Sequence, residues 1–270
     1  MIIAPSRNYI FVHIHKCAGQ SIEKACAPYL SGNDILLGAT ASSKQKRDGR
    51  PVISELTGLV KHSSAAKIKM KLGDRLFNRF YRFAVVRNPH DRAYSLYSYC
   101  VQRLKNNPDF QAHLAGMDVH SADWAEISAE FWKRAGIHPD DAQSVVAKKN
   151  YPEEISFMES GIFRWNANRA VLTSPDFDAC VQNEFFQRDA GFRPQANMLY
   201  DQKTGELLVP NLVKMEELRD NWPKLRKRLG VDAELPHENV SGTKENAPIA
   251  PSTMAFLREW FAQDYELLGY

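Results

Sequence analysis

Two short segments of the chain carry the residue types that bind phosphate or sulfate groups. The first consists of His15, Lys16, Cys17, Ala18, Gly19, Gln20 and Ser21. Gly19 lets the backbone approach an anion closely, Lys16 adds a positive charge and Ser21 adds a hydroxyl donor. A tight loop that enters a helix presents free backbone N–H groups at the positive end of the helix dipole, so this segment predicts an anion-binding loop. The alternative is an ordinary turn capped by Ser21, with Lys16 in solvent.

The second segment reads Arg-Asn-Pro-His-Asp-Arg over residues 87–92. Arg87 can contact a phosphate through two N–H donors at once, and Ser95 on the following helix can face the same anion. Asp91 is expected to cap that helix and to pair with Arg92. The alternative is a capped helix with a surface arginine, which explains Asp91 but gives Arg87 no role.

Neither segment is a nucleotide-binding P-loop of the G-x-x-x-x-G-K-[ST] pattern, because no Ser or Thr follows Lys16 to hold Mg²⁺. We expect no metal site, since the four cysteines and the histidines lack zinc-ligand spacing. The cysteines are expected to be reduced. Lys16 and the helix dipole could partly activate the thiol of Cys17, but a packed small residue is the commoner case.

Both segments follow apolar, β-rich runs, predicted as strands over residues 9–14 and 82–86, and both precede helices. Other expected helices cover 64–72, 124–135 and 218–229, and a last one starts at Ser252 as its N-cap; another strand covers 207–215. Residues 163–165 are either a strand or a substrate loop. This alternation predicts an α/β fold: a P-loop-like, three-layer α/β/α arrangement around a central, mostly parallel sheet. We interpret residues 1–270 as one domain, with 106–181 as a helical insertion for substrate specificity.

Composition narrows the function classes. The chain has 270 residues, of which 44% are hydrophobic and 25% charged, as in globular proteins. Its net charge of +3 does not indicate a nucleic-acid partner. No apolar run is long enough to span a bilayer and no signal sequence begins the chain, so we expect a cytoplasmic protein, unless an anchor precedes residue 1 in a longer chain. The oligomeric state is not readable from the sequence.

Together the two segments resemble the sulfotransferases that use 3′-phosphoadenosine-5′-phosphosulfate (PAPS), in their carbohydrate and bacterial branch, which is similar to sulfotransferase family 2. That family's first loop reads P-K-[TC]-[AG]-G-[TQ]-S; here His15 replaces the usual Pro and Cys17 the usual Thr. Its second loop, F-x-x-V-R-N-P-x-[DE]-R-x-x-S, is matched completely by residues 83–95. Residues 192–195 and 213–216 resemble the family's Pro-Gln segment and its strand ending in Glu.

The resemblance implies transfer of a sulfuryl group from PAPS to an acceptor hydroxyl, expected on a carbohydrate, without a metal. Lys16 and the loop amides through Ser21 would bind the 5′-phosphosulfate, and Arg87 with Ser95 the 3′-phosphate. Lys244, in a late loop, could close over the nucleotide, although an exposed loop lysine is at least as common.

The catalytic candidates are Lys16, His62 and His15. Lys16 would stabilise the charge on the leaving group. His62 is the first candidate for the general base, because it lies between the two loops, where some carbohydrate sulfotransferases place a Gly-His base; a surface or helix-capping histidine is the alternative. His15 is the second candidate, whereas His13 is expected to be structural.

Two rival functions stay open at this point. A kinase or other P-loop NTPase would share the fold, but it needs the missing Mg²⁺ ligand after Lys16. A non-catalytic module could bind a sulfated glycan or a partner protein on the same fold. The acceptor itself is not readable.

Overall fold

The computed structural model describes residues 1–38, 57–236 and 249–270, and within them the chain is a mixed α/β protein with a five-stranded sheet. The strands are β1 (Ile2–Ala4), β2 (Tyr9–Val12), β3 (Ile35–Leu36), β4 (Tyr81–Val86) and β5 (Asn211–Lys214). Their order is β3-β1-β2-β4-β5. β2, β4 and β5 are parallel, and β1 is antiparallel to both β2 and β3, so only β1 opposes the other strands. The predicted α/β class with a mostly parallel sheet is confirmed.

The strand register brings three loops to one edge of the sheet. Val12 pairs with Ala84 in β4, and Val86, at the end of β4, pairs with Lys214 at the end of β5. Because the carboxyl ends of parallel strands share an edge, the chain leaves β2, β4 and β5 on the same side, where open α/β sheets bind ligands.

The core of the sheet is formed by side chains that point to both of its faces. Ile10, Phe11 and Val12 are fully buried, although successive strand residues point to opposite faces. Burial of each such side chain contributes roughly 1.5–3 kcal/mol. β1 was missed in the sequence, because three residues are too few for a periodic pattern, and β2 ends two residues earlier than expected.

The α-helices of the described residues are α1 (Gly19–Cys26), α2 (Ala65–Leu72), α3 (Asp74–Arg79), α4 (Pro89–Lys105), α5 (Pro108–His113), α6 (Trp124–Arg134), α7 (Ala142–Lys148), α8 (Asn166–Leu172), α9 (Phe177–Gln182), α10 (Glu184–Arg188), α11 (Ala196–Leu199), α12 (Leu218–Leu229), α13 (Pro251–Trp260) and α14 (Ala262–Leu268). Short 3₁₀ helices cover Pro5–Arg7, Ala27–Tyr29, Pro139–Asp141, Glu153–Glu159, Gly161–Arg164 and Met215–Glu217.

Several helix boundaries follow from local chemistry. The Ser64 side chain caps α2, and Gly230 ends α12 with a left-handed φ of 65°, as predicted. The predicted last helix is instead two helices, and the first begins at Pro251, so the expectation that Ser252 is its N-cap was wrong. Proline suits a first helical position because its missing N–H would have no partner there. Residues 163–165 are not a strand, because a 3₁₀ helix covers Gly161–Arg164.

The chain divides into two compact units. The first holds the described residues of Met1–Arg92, Pro194–Val240 and Phe261–Tyr270, and it contains the whole sheet. The second holds those of Ala93–Arg193 and Ser241–Trp260, and its described part is helical. Residues 106–181 contain helices and no strand. A specificity role for that segment, and its place in a single domain, stay predictions.

Candidate active site

The first loop leaves β2 and enters α1 with an unusual backbone. Lys16 and Ala18 have positive φ angles of 63° and 51°, which are uncommon for residues other than glycine. Ala18 is the N-cap of α1, and in the described structure no side chain caps that helix end. The turn therefore presents the first amides of α1 at the positive end of its dipole, which is the geometry of an anion site.

The predicted residues of this loop differ in exposure. Partly exposed are His15, Lys16, Ala18 and Gln20; buried are Cys17, Gly19 and Ser21. Burial raises the pKa of the Cys17 thiol to about 12, although the nearby Arg92 and Arg87 act to lower it. The thiol is therefore neutral near pH 7, so the option that Lys16 and the helix dipole activate Cys17 was wrong. Cys17 is the packed small residue of the alternative.

The second loop leaves β4, and its helix begins differently than expected. The Asn88 side chain accepts a hydrogen bond from the backbone N–H of His90 at 3.2 Å, and α4 begins at Pro89. Asp91 lies inside the first turn, so its prediction as the N-cap was wrong; Pro89 at the first helical position fixes Asn88 as the cap. Arg92 also does not pair with Asp91. Its buried guanidinium instead lies 5.2 Å from the ring centre of Phe261.

The side chain of Arg87 is partly exposed where β4 ends. Within the described residues its guanidinium forms no hydrogen bond or ion pair with another side chain. A guanidinium that the fold does not use is a candidate ligand for a phosphate. Ser95 lies about two turns further along α4 and is buried. Its role at a 3′-phosphate stays a prediction, and Lys244 lies outside the described residues.

Gln195 ties the two loops together. Its side chain is fully buried, and its oxygen accepts hydrogen bonds from the backbone N–H of Arg87 at 2.9 Å and from the Cys17 thiol at 3.4 Å. Its amide nitrogen donates to the backbone oxygen of Arg87 at 2.8 Å. One side chain therefore fixes the position of the second loop against the first.

Asp264, on α14, holds Gln195 in turn. Its carboxylate accepts hydrogen bonds from the backbone N–H groups of Gln195 and Ala196, each at 2.8 Å, and it lies 4.0 Å from Arg92. Burial raises the pKa of Asp264, while Arg92 and these hydrogen bonds lower it. The family resemblance pointed to the Pro-Gln segment, but no local pattern in the sequence assigned these contacts.

Glu216 supports the second loop from the 3₁₀ helix that follows β5. One carboxylate oxygen accepts from the backbone N–H of Asn88 at 2.8 Å, and the other accepts from the hydroxyl of Tyr270 at 3.1 Å. Because the amides of Arg87 and Asn88 are bound by Gln195 and Glu216, this loop offers side chains rather than backbone amides to an anion.

Three histidines lie together beside the first loop. The rings of His15 and His62 stack with centres 3.5 Å apart, and the ring of His13 lies edge-on to His62 at 4.6 Å. The Nδ1 atom of His62 lies 2.8 Å from the backbone oxygen of His13. Because a carbonyl oxygen only accepts, Nδ1 carries the hydrogen and the Nε2 atom of neutral His62 keeps a lone pair.

The environment keeps these histidines neutral. Burial, followed by the neighbouring His15 and His13, lowers the pKa of His62 to about 2. Burial, followed by the positive charges of Arg92, Lys61 and Lys16, lowers the pKa of His15 to about 4. Both rings are therefore unprotonated near pH 7, as a general base must be, but pKa values this far below 7 also make their free nitrogens weak bases.

The described residues contain no cluster of three or more His, Cys, Asp or Glu side chains that could hold a metal ion. None of their helices is long and apolar enough to cross a membrane.

The model of the sulfotransferase family (Sulfotransfer_2) matches residues 1–270, the whole of the chain. No curated protein and no solved structure matches significantly.

Proposed function

Because this chain belongs to the sulfotransferase family, we propose that it transfers a sulfuryl group from PAPS to an acceptor hydroxyl on a carbohydrate. Two observations carry this proposal: no described side chain caps the start of α1 beside Lys16, and the Arg87 guanidinium has no side-chain partner among the described residues. Gln195 holds the two loops together. We also propose the P-loop-like, three-layer arrangement for the fold, since both faces of β2 are covered.

The two loops would divide the donor between them. The amides from Cys17 to Ser21, with Lys16, bind the 5′-phosphosulfate, and Arg87 binds the 3′-phosphate; Ser95 and Lys244 join them on the strength of the family resemblance. This division agrees with the geometry, since the first loop offers helix amides and the second offers a side chain. The proposal needs no metal, because Lys16 is not followed by a Mg²⁺-binding hydroxyl.

The proposed chemistry is an in-line displacement at sulfur. The acceptor oxygen forms a bond to sulfur while the bond from sulfur to the bridging oxygen breaks, and the electron pair stays on the leaving 3′,5′-bisphosphate. His62 Nε2 takes the proton of the acceptor hydroxyl, with His15 as the second candidate for this role. Lys16 stabilises the charge that develops on the bridging oxygen, since transfers of this type depend mainly on positioning and electrostatics.

Calorimetric titration with 3′-phosphoadenosine-5′-phosphate tests the donor site, against ATP with Mg²⁺. We expect the bisphosphate to bind without a metal ion. Arg87→Ala should weaken this binding about 10–100-fold, because it removes a charge-assisted contact worth about 1.5–3 kcal/mol. Arg79→Ala is the matched control, because Arg79 is an exposed arginine at the opposite, amino-terminal end of β4. A preference for ATP with Mg²⁺ would favour a kinase instead.

Turnover of labelled PAPS with a panel of carbohydrates tests the chemistry. In the variant His62→Asn, the asparagine amide can still donate to the His13 oxygen but cannot act as a base. We therefore expect kcat to fall about 10²–10⁴-fold while the affinity for the bisphosphate stays unchanged. His15→Asn should have a smaller effect. Binding of the bisphosphate without turnover of any hydroxyl acceptor would favour a non-catalytic module.

A further inference from the structure

His13 and Glu23 form a buried pair that spans the first loop. His13 directly follows β2, Glu23 lies in α1, and both side chains are almost fully excluded from solvent. The Nδ1 atom of His13 lies 2.8 Å from Glu23 Oε1. Because a carboxylate accepts, Nδ1 donates, and this hydrogen bond closes the loop between strand and helix.

The His13 ring also fixes the start of α1. A Cβ atom added to Gly19 would lie only 1.9 Å from Nε2 of His13, so the ring occupies the space directly beside the first residue of the helix. The amides of the proposed anion site belong to this same turn. The position of the ring therefore limits how close this turn can lie to β2.

The same residue holds the proposed base. The backbone oxygen of His13 accepts the hydrogen bond from Nδ1 of His62, and the two rings are in edge contact. His13 thus contacts the anion loop with its side chain and sets the tautomer of His62 with its main chain.

The charges around the pair favour an unprotonated His13 ring. Burial, then the amino nitrogen of Met1 and the side chains of Lys61 and His15, lowers the pKa of His13. Glu23 also accepts a hydrogen bond from the Met1 nitrogen at 3.1 Å, and its Oε2 atom is buried without a hydrogen-bond partner among the described residues. Burial of a carboxylate with one oxygen unsatisfied costs stability.

We infer that His13 and Glu23 are positioning residues for sulfuryl transfer: Glu23 orients the His13 ring, the ring sets the anion-binding turn at Gly19, and the His13 carbonyl aims Nε2 of His62. The inference rests on the reaction proposed above. Neither residue touches the substrate in this scheme, and both act through the loop and through His62.

The test compares Glu23→Gln, Glu23→Ala and His13→Ala with the control Asp34→Asn. Asp34 is also a buried carboxylate of the first unit, but it binds Ser6 and Ser31 away from the histidines. Gln can still accept from His13, so Glu23→Gln should keep kcat within about tenfold. The two Ala variants should lose roughly 100-fold in kcat, the effect of misplacing reacting groups by about 1 Å, with a smaller change in KM for PAPS.

Nitrogen NMR of labelled histidine gives a second readout that needs no turnover. His62 should show the Nδ1–H tautomer in the wild type, Glu23→Gln and Asp34→Asn. The two Ala variants keep the His13 carbonyl, so the mixture of tautomers expected there would report that loss of the buried pair moves this carbonyl away from His62 Nδ1. Thermal melts identify variants that do not fold. If the Ala variants do not fold, Glu23→Gln remains as the comparison, because it keeps the acceptor for His13. A 100-fold loss of kcat in Glu23→Gln would overturn the positioning role.

The outcomes are separable. Suppose the wild type is active and the Ala variants match Asp34→Asn in kcat and in the His62 tautomer. This result would overturn the positioning role and leave the proposed reaction standing. A wild type that neither binds the bisphosphate nor turns over PAPS would overturn the proposed reaction, and this inference with it.

Discussion

Replacement of Gln195 by leucine removes the amide that joins the two loops while it keeps an apolar side chain of similar size. The variant leaves the N–H and the C=O of Arg87 without their partner, and Cys17 and Asp264 each lose one contact. Each buried group left unsatisfied costs about 1–3 kcal/mol, so the two backbone groups give about 2–6 kcal/mol. Because Arg87 is only partly buried and water can replace some of this, we expect about 2–4 kcal/mol.

Thermal unfolding and calorimetry measure the two consequences. For a chain of this size, 1 kcal/mol shifts Tm by about 2–4 °C, so Gln195→Leu should melt roughly 4–16 °C below the wild type. The bisphosphate should bind at least about tenfold more weakly, since a displaced second loop no longer holds Arg87 at the distance that the first loop requires.

Gln187→Leu is the matched control, because Gln187 donates one hydrogen bond to the Val181 carbonyl in the second unit. It should cost about 1 kcal/mol and leave bisphosphate affinity unchanged. Wild-type affinity in a folded Gln195→Leu protein would refute the reasoning, because it would show that the loops keep their places without the bridging amide.

Three further predictions concern the first loop and its histidines. The pKa values of His15 and His62 are lowered to about 4 and about 2 in the folded protein. In the unfolded chain these values are near 6.5, so the unfolded chain binds more protons and Tm should fall as the pH drops from about 6.5 to 4. An equally steep fall of Tm in a His15→Asn, His62→Asn double variant would contradict this. All four cysteines are buried, so the native protein should resist modification by iodoacetamide at pH 7.5. A fast-reacting thiol that disappears in Cys17→Ser would contradict this prediction. Ala18→Gly should leave the free energy of unfolding in urea unchanged or raise it, because glycine accepts the φ of 51° without strain. The control Ala25→Gly, in α1, should lower this free energy by about 1 kcal/mol. Equal losses of stability in the two variants would argue against strain at Ala18.

The sequence was most informative where the chemistry is local. Apolar runs before 15–21 and 87–92 predicted two strands with loops at their ends, and both were found. The start of α4 shows the limit of this reasoning, since Asn88 and Asp91 are both good caps and only the proline between them decides.

Contacts between distant residues were beyond that reasoning. Gln195 and Asp264 are ordinary polar residues in the sequence, and their role exists only once the sheet brings residues 17 and 87 to the same edge. Glu23 likewise follows a helical pattern in which nothing marks it as buried. Burial of a polar group depends on which surfaces the whole fold covers, and a single sequence does not contain that information in a local form.

The contacts from Asp264 through Gln195 to the two loops also determine when the loops can be fixed in place during synthesis of the chain. The contact between Gln195 and Cys17 spans 178 residues, and that between Asp264 and the Gln195 amide spans a further 69. A nascent chain that still lacks α14 has the loops after β2 and β4 but lacks Asp264, which holds the Gln195 bridge between them. Ligands stabilise only a state that binds them, so the proposed bisphosphate, which needs both loops in place, could stabilise this fold only after α14 has left the ribosome.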